Sequence, residues 1–264
     1  MKKQVFFSVI VVCLNAGDKL SDTVNSILMQ NYENYEIIVK DGLSNDGSIE
    51  KLPVSPKIRL FREKDSGIYE AMNQASCRVQ GDYVLFLNSG DTFHHADVLQ
   101  KTAGFIEHEP GHGIYYGDTY CEQTHTTVAS SPEITPFTCY RNIPCHQSCF
   151  YKKDLLIKKP YDPKLRIRAD YDHFLWCYFK ADARPVHMNL VVAAYEGGGY
   201  SESKSNRKRD KQEHKQIVKV YMSRGQRMKF AFIMAITLAP LRSFLAEKTP
   251  LSGVYNKIKA GLYR

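Results

Sequence analysis

Two short apolar segments in the first hundred residues each lead to an aspartate in a glycine-containing turn. The first runs from Tyr35 to Asp41, and the second runs over residues 83–87 and reaches Asp91 four positions later. Short runs of β-branched and aromatic residues between turn-forming residues are typical of buried strands. In an open α/β sheet, ligands bind beyond the carboxyl ends of the strands. The sequence therefore predicts that two carboxylates face a hydroxylated, cation-bridged ligand such as a nucleotide diphosphate.

Length and composition fit one globular α/β domain with an appended segment. Of the 264 residues, 43% are apolar and 24% are charged, both ordinary proportions. The seven cysteines are irregularly spaced and form no recognisable disulfide framework, which favours reduced thiols and a cytoplasmic location. Residues 201–264 hold 15 Lys or Arg against 4 Asp or Glu, although the whole chain carries only +8. A basic tail on a slightly acidic body predicts that the tail alone meets an anionic partner.

The first apolar run, residues 5–12, follows a basic start and so has two interpretations. A basic start before an apolar stretch is typical of a signal peptide. However, the run is rich in β-branched residues and no convincing small-residue cleavage site follows it, which favours a first buried parallel strand.

The next segments alternate between the two periodicities. A helix follows the first strand, with Val24, Ile27 and Leu28 at helical spacing and Ser21 or Asp22 as its cap. The further predicted elements are strands at 35–41 and 58–61, a helix within 66–80 and a strand leading to Asp91. This β-α-β-α-β order predicts an α/β fold with a Rossmann-like, mostly parallel sheet flanked by helices.

Two common nucleotide-binding fingerprints are absent. No Gly-x-Gly-x-x-Gly follows the first strand, and no Gly-x-x-x-x-Gly-Lys-Ser/Thr occurs. Four other segments stand in order, at residues 9–15, 41–48, 63–73 and 87–91. Together they resemble the family-2 glycosyltransferases of the bacterial exopolysaccharide and capsule type. The resemblance covers about residues 5–200 and implies a GT-A fold, a nucleotide-diphospho-sugar donor and a divalent metal, Mg²⁺ or Mn²⁺.

The resemblance also implies roles for particular residues. Asp41, at a strand end, is suited to accept hydrogen bonds from a ribose or a base, although the family often has two adjacent aspartates where this chain has Lys40-Asp41. Asp91 is the last acid of the family's Asp-x-Asp motif and the expected metal ligand; a turn that caps the next helix is the structural alternative. The other expected donor-binding residues are Asn15, Ser66, Gly67, Asn73, Asn88, Ser89 and His146.

A base is expected in the second half of the chain. Direct displacement at an anomeric carbon needs a group that removes the proton of the acceptor hydroxyl. The family places a Glu-Asp motif at the start of a helix, and Ala169-Asp170 lies where it would fall. Asp170 is therefore the first candidate base and Asp172 the second. Two acids that stabilise the first turn of a helix through its dipole are the structural alternative.

These observations divide the chain into residues 1–200, a GT-A catalytic domain, and residues 201–264, a basic, partly amphipathic helical tail. Within the catalytic domain, residues 1–100 are expected to bind the nucleotide sugar and residues 101–200 the acceptor. The tail includes an apolar stretch, residues 230–241, which is too short to span a bilayer. Two placements are open for it: in the headgroup region of an anionic membrane at the cytoplasmic face, or packed on the protein or a second subunit.

Three function classes follow. The resemblance favours an inverting, metal-dependent transferase that moves a hexose, with UDP as the default nucleotide, to a glycan or lipid-linked acceptor in surface polysaccharide synthesis. A sugar-1-phosphate nucleotidyltransferase would need a Gly-rich loop with Lys or Arg after the first strand, and residues 13–18 do not supply one. A nucleic-acid-binding protein is disfavoured because acids facing a cleft would repel phosphates, so no nucleic acid is expected as a partner.

Overall fold

The computed structural model describes residues 4–197 and 206–236. Its helices are α1 (Asp18–Leu28), α2 (Ile68–Ser76), α3 (Val98–His108), α4 (Pro136–Arg141), α5 (Lys153–Lys158), α6 (Ala169–Phe179), α7 (Arg207–Tyr221) and α8 (Arg224–Ile236). Its strands are β1 (Phe7–Cys13), β2 (Tyr35–Asp41), β3 (Ile58–Arg62), β4 (Tyr83–Phe86), β5 (Thr92–Phe93), β6 (Ile114–Cys121), β7 (Thr126–Val128), β8 (Cys149–Lys152) and β9 (Val186–Tyr195). Within these residues, the strands form one sheet in the order β3-β2-β1-β4-β8-β6-β9-β5, with β7 beside β6.

The first half of the sheet is parallel, as the alternation of elements predicted. β1 pairs in parallel with β2 on one side and β4 on the other, and β2 pairs in parallel with β3. Every residue of β1 and β2 is buried, because helices cover both faces of this part of the sheet. The first apolar run is thus a central strand of the fold.

The second half of the sheet is mixed. β8 pairs antiparallel with both β4 and β6, and β5 pairs antiparallel with β9, whereas β6 and β9 are parallel. The pairing of β6 with β9 shifts in register near Gly117. A Cβ atom at this position would come within 2.2 Å of the Leu190 carbonyl oxygen. A glycine is required at this position because the two backbones approach so closely.

Helices pack on both faces of the sheet. α1 and α3 bury Leu20, Val24 and Leu99 on one face, and α2 and α6 bury Met72 and Phe174 on the other. α1 begins at Asp18 after Gly17, so the prediction that Ser21 or Asp22 caps this helix is wrong. Ser21 lies inside the first turn and its hydroxyl donates to the Asp18 carbonyl oxygen.

The described part of the tail packs on the hydrophobic core of the preceding domain. Ile217 and Val218 of α7 and Phe230 of α8 are buried in the same cluster as Phe174 of α6. Of the apolar stretch 230–241, residues 237–241 lie outside the described residues, as does the predicted boundary at residue 200. Among the residues described, no helix combines the length and apolar character that crossing a membrane requires.

Candidate active site

The carboxyl ends of β1, β2 and β4 meet at one edge of the sheet and carry half of the predicted donor-binding residues together with the predicted metal ligand. Asn15 follows β1, Asp41 ends β2, and Asn88 to Asp91 follow β4. Asn15 has a left-handed backbone, with φ of 51°, and its side chain accepts a hydrogen bond from the Asn45 backbone N–H. Asn15 is exposed and links the loops after β1 and β2 at this edge.

Asp41 is buried, and its carboxylate already has partners within the protein. It accepts hydrogen bonds from the Ser44 hydroxyl and backbone N–H, and from Arg62 Nε at 3.0 Å. Burial raises the pKa of the Asp41 carboxyl, but the Ser44 hydrogen bonds and the Arg62 guanidinium outweigh burial and hold the pKa below its usual range. The structure thus places Asp41 under Arg62, whose side chain is 43% exposed, rather than facing the cleft directly.

The lysine that precedes Asp41 forms a buried ion pair. Lys40 Nζ lies 2.5 Å from Asp65 Oδ2 and also donates to the Glu63 carbonyl oxygen. The other carboxylate oxygen of Asp65 accepts a hydrogen bond from the Gly67 backbone N–H at 3.1 Å. Lys40 and Asp65 therefore hold the loop that contains Ser66 and Gly67 at the end of β2.

A chain of polar side chains connects β4 with α6. Asn88 Nδ2 lies 3.0 Å from His146 Nε2, and His146 Nδ1 lies 3.5 Å from Asp170 Oδ2. Because the Asn88 amide nitrogen donates to Nε2, the proton of a neutral His146 is on Nδ1 and faces Asp170. The Tyr69 hydroxyl lies 3.1 Å from the other oxygen of Asp170. The fold thus groups Tyr69, Asn88 and His146, from three other segments of the chain, around the Asp170 carboxylate.

Asp170 is ionised in this environment. Burial raises the pKa of its carboxyl, but the hydrogen bonds from His146, from the Tyr171 backbone N–H and from the Tyr69 hydroxyl outweigh burial and lower the pKa below its usual value. A carboxylate in this state is available to accept a proton at neutral pH.

Asp172 lies on a different side of the same helix. Two residues along an α-helix are rotated by about 200°, so Asp170 and Asp172 point in nearly opposite directions. Asp172 forms an ion pair with Lys159 at 2.7 Å and accepts a hydrogen bond from the Tyr221 hydroxyl of α7. The structure therefore does not bring Asp172 to the group around Asp170.

Asp91 lies close to the same group. Its Oδ2 accepts a hydrogen bond from Gln147 Nε2 at 3.1 Å, and its backbone N–H donates to the Asn88 carbonyl oxygen. Burial raises the pKa of Asp91 in spite of the nearby His146 and Gln147. A cation beside this carboxylate would offset the cost of keeping it charged.

The residues at this edge fit a divalent metal that arrives with phosphates. The Asn88 Oδ1 atom is buried and has no hydrogen-bond partner, and it lies on the same turn as Asp91. A carboxylate and an amide oxygen are hard ligands, and Mg²⁺ in proteins commonly keeps one or two carboxylates and takes its other ligands from phosphate and water. Over residues 4–197 and 206–236, no three or more His, Cys, Asp or Glu side chains are grouped so that they could hold a metal ion. A metal at Asn88 and Asp91 would therefore take its remaining ligands from phosphate and water.

Two of the predicted donor-binding side chains, Asn73 and Ser89, form hydrogen bonds with backbone groups of other segments. The Asn73 amide donates to the Tyr161 carbonyl oxygen and accepts from the Tyr161 backbone N–H, at 2.8 and 2.9 Å. The Ser89 hydroxyl donates to the Val12 carbonyl oxygen. Both residues therefore fix neighbouring segments at this end of the sheet.

Ser66 and Gly67 line a cavity of about 390 Å³ at the start of α2. The other lining residues are Ile68, Tyr69, Glu70, Pro163, Leu165 and Arg166. Tyr69 joins this cavity to the group around Asp170, because its hydroxyl contacts that carboxylate. Neither Asp41 nor Asp91 lines the cavity.

Tyr69, Gln147 and the Lys40–Asp65 pair were not among the residues expected from the sequence. Gln147 follows His146 directly, and Tyr69 lies within the segment 63–73 that carried the resemblance. Their position next to expected residues was the one signal in the sequence that could have indicated them. Which groups their side chains contact depends on the segments that the fold brings together.

Comparison with known proteins identifies the family and agrees with the fold. The family described as "Glycosyl transferase family 2" matches residues 8–162. A PGL/p-HBAD biosynthesis glycosyltransferase of Mycobacterium bovis (strain BCG / Pasteur 1173P2) is 32% identical over 203 residues, which are 74% of this chain and 78% of that protein.

Two solved structures share the architecture. S. aureus TarS 1-349 in complex with UDP-GlcNAc matches with a TM-score of 0.57 and 19% identity over 75% of this chain, which spans 61% of the TarS chain. The mannosyltransferase PcManGT from Pyrobaculum calidifontis, in complex with GDP-Man and Mn²⁺, matches with a TM-score of 0.63 and 15% identity, over 99% of this chain and 88% of PcManGT. At these identities the likeness concerns the fold, which is the GT-A fold expected from the sequence.

Proposed function

Because the chain belongs to glycosyl transferase family 2, we propose that it transfers a hexose from a nucleotide-diphosphate donor to a hydroxyl group of a glycan or lipid-linked acceptor. UDP-sugars are the first choice of donor, and the product belongs to a surface polysaccharide or glycolipid. TarS in complex with UDP-GlcNAc and PcManGT in complex with GDP-Man support a nucleotide-sugar donor. Family membership disfavours the alternative of a sugar-1-phosphate nucleotidyltransferase.

The observation that carries this proposal is the position of the Asp170 carboxylate between His146 and Tyr69. In the proposed reaction, Asp170 takes the proton of the acceptor hydroxyl while the acceptor oxygen bonds to the anomeric carbon. The bond from that carbon to the diphosphate oxygen breaks on the opposite face, and its electron pair leaves with the nucleotide diphosphate. Attack opposite the leaving group inverts the anomeric configuration. Asp170 is preferred to Asp172, which is engaged with Lys159.

Asn88 and Asp91 are the proposed holders of Mg²⁺ or Mn²⁺. When bound, such an ion supplies positive charge to the departing diphosphate. The buried, unpartnered Asn88 Oδ1 and the Asp91 carboxylate, whose pKa burial raises, support this assignment. His146 contacts both Asn88 and Asp170, and its proposed role is to orient the base.

The cavity at the start of α2 is the proposed place for the nucleoside. Ser66 and Gly67, expected from the sequence to bind donor, line it together with the apolar side chains of Ile68 and Leu165. Its volume of about 390 Å³ lies in the range of small-molecule pockets, which are lined mainly by apolar groups with a few polar ones. Asp41, buried under Arg62, would then support the loop around the nucleotide and contact it only if Arg62 moves.

Donor binding and turnover in three variants test the catalytic assignments. A panel of UDP- and GDP-sugars with Mn²⁺ is offered to the wild type, Asp91→Ala, Asp170→Asn and the matched control Asp172→Asn. We expect one donor to bind with Mn²⁺, Asp91→Ala to lose that binding, and Asp170→Asn to keep it while turnover falls by about 10²–10⁴-fold, the usual contribution of a general base. Turnover lost in Asp172→Asn but kept in Asp170→Asn would reverse the choice of base. No binding of any nucleotide sugar would refute the proposed function.

We also propose that the protein works at the cytoplasmic face of an anionic membrane, where a lipid-linked acceptor would lie. Met228, Phe232 and Ile236 are spaced by four residues on α8 and are 63–66% exposed, whereas Phe230 on the opposite side is buried. Arg224 and Lys229 flank this apolar face. An outward apolar stripe with basic flanks suits the headgroup region of an anionic bilayer.

Vesicle sedimentation tests this location. Since α7 and α8 share the core of the catalytic domain, the test uses point changes in the full chain instead of a truncation. The wild type should sediment with phosphatidylglycerol-containing vesicles and not with phosphatidylcholine alone, and Phe232→Asp/Ile236→Asp should stay in solution. Equal sedimentation of wild type and double variant would refute the assignment of this face.

A further inference from the structure

One buried carboxylate of α7 receives three consecutive backbone N–H groups of the segment that leads into α6. Glu213 Oε1 accepts from Arg166 N at 2.9 Å, and Oε2 accepts from Ile167 N at 3.0 Å and Arg168 N at 2.9 Å. Glu213 is only 6% exposed. Successive backbone N–H groups form a concave site for an anion, and here the anion is a side chain that lies about 46 positions away in the sequence.

The neighbouring acid on the same helix strengthens this attachment. Asp210 makes two parallel hydrogen bonds with the Arg168 guanidinium, at 2.6 and 2.9 Å. Arg168 is the residue that precedes α6, and its own side chain does not cap the helix. α7 thus holds both the backbone and the side chain of the residue at which α6 begins.

The held segment positions Asp170 in two ways. Asp170 is the second residue of α6, so the direction in which this helix starts decides where its carboxylate points. In addition, the Ile167 carbonyl oxygen accepts a hydrogen bond from the Tyr69 hydroxyl at 2.6 Å, and the same hydroxyl contacts Asp170. Any displacement of Ile167 therefore reaches Asp170 through the helix start and through Tyr69.

We propose that Glu213 is a positioning residue for the transfer reaction: it fixes residues 166–168 so that Asp170 faces the acceptor hydroxyl. The effect on turnover rests on the proposed function. The fixing of residues 166–168 rests on the three N–H contacts alone. Of the cavity lining, Glu213 contacts only the Arg166 backbone N–H, while the Arg166 side chain is held separately by the Ser66 carbonyl oxygen, and Glu213 has no hydrogen bond to the turn that carries Asp91. Its loss should therefore impair the chemical step more than donor binding.

Glu213→Gln is the central variant. An amide of the same size offers one oxygen, and its NH₂ group then faces a backbone N–H with no acceptor to offer. We expect kcat with the donor that the wild type uses fastest to fall at least tenfold. The KM for that donor and the affinity for UDP with Mn²⁺ should stay within twofold. Gln216→Ala, at an exposed position of the same helix, is the matched control and should leave both constants unchanged.

Amide hydrogen exchange keeps the inference testable independently of catalysis. In Glu213→Gln the amides that lose their acceptor, either Arg166 or the pair Ile167 and Arg168, should exchange at least tenfold faster than in the wild type, while those of the central strand β1 are unchanged. If Glu213→Gln does not fold, Asp210→Asn loosens the same segment from its outer side and should show the same effects at smaller size. Wild-type turnover with no change of kcat in either folded variant would overturn the positioning role. No turnover by the wild type would refute the proposed function alone, and unchanged exchange at all of residues 166–168 would then overturn this inference by itself.

Discussion

Replacing Asp65 by asparagine should destabilise the protein, because it leaves the buried Lys40 ammonium without a counter-charge. The Lys40 side chain is fully buried and that of Asp65 is 10% exposed, so water cannot replace the lost partner. Removing one partner of a buried ion pair typically costs about 3–5 kcal/mol. Asparagine retains an oxygen that accepts from Lys40 Nζ, and the Glu63 carbonyl oxygen still accepts as well, so the lower end, about 3 kcal/mol, is expected.

The assay is reversible unfolding in urea or by heat, with two further variants measured alongside. For a chain of this size, about 3 kcal/mol corresponds to a fall of about 6–12 °C in Tm. Lys40→Met in the Asp65→Asn background removes the orphaned charge and should recover at least about 1 kcal/mol, since an apolar replacement of a buried pair is often neutral. Asp18→Asn, which breaks the exposed pair with Lys51, is the control and should leave Tm unchanged.

Two outcomes would refute this reasoning. If Asp65→Asn costs less than about 1 kcal/mol, the carbonyl oxygens around Lys40 alone stabilise its charge, and the ion pair contributes little. If the double variant is no more stable than Asp65→Asn, the loss came from the Asp65–Gly67 hydrogen bond and not from the unpaired charge.

Two more predictions concern stability. Burial lowers the pKa of His173 to about 4, so between pH 6.5 and 4 the unfolded chain binds a proton that the folded chain excludes. This contribution to the free energy of unfolding is complete above pH 6.5 and should fall by about 3 kcal/mol as the pH drops to 4. Urea titrations of His173→Gln should lack this dependence on pH. Gly117→Ala places a methyl group against the Leu190 carbonyl oxygen and should lower the free energy of unfolding by about 1–3 kcal/mol or more in the same assay. Gly104→Ala, in an open position on α3, is the control and should be neutral or stabilising. Equal effects of the two changes would refute the close approach of β6 and β9.

The parallel half of the fold was predictable because its signals are local. β1 and β2 are short segments with apolar centres between turn residues, and α1 and α2 show helical spacing after them. The mixed half was less accessible because its pairing joins distant segments: β8 inserts between β4 and β6. β5 and β7 have two and three residues, too few for any periodicity to be detected.

The candidate site shows the same division between position and partner. The resemblance led to Asn88, His146 and Asp170, which the fold brings together, but equally to Asn73 and Ser89, whose side chains bond to backbone groups. A motif locates residues along the chain and says nothing about which way a side chain turns. The choice between Asp170 and Asp172 needed only the helix rotation and the position of Lys159, and both are three-dimensional facts.

The tail shows why composition was an incomplete guide. Its Lys and Arg residues dominate any count of charge, and they suggested a segment separate from the catalytic body. The two acids of α7, Asp210 and Glu213, are the residues that attach this helix to the segment before Asp170. They pair inward with Arg168 and with backbone N–H groups, so the basic side chains of α7 remain on the outside. The inner face of α7 holds the segment before the proposed base, and its outer face is cationic, so an experiment that removes this helix also removes the contacts that fix that segment.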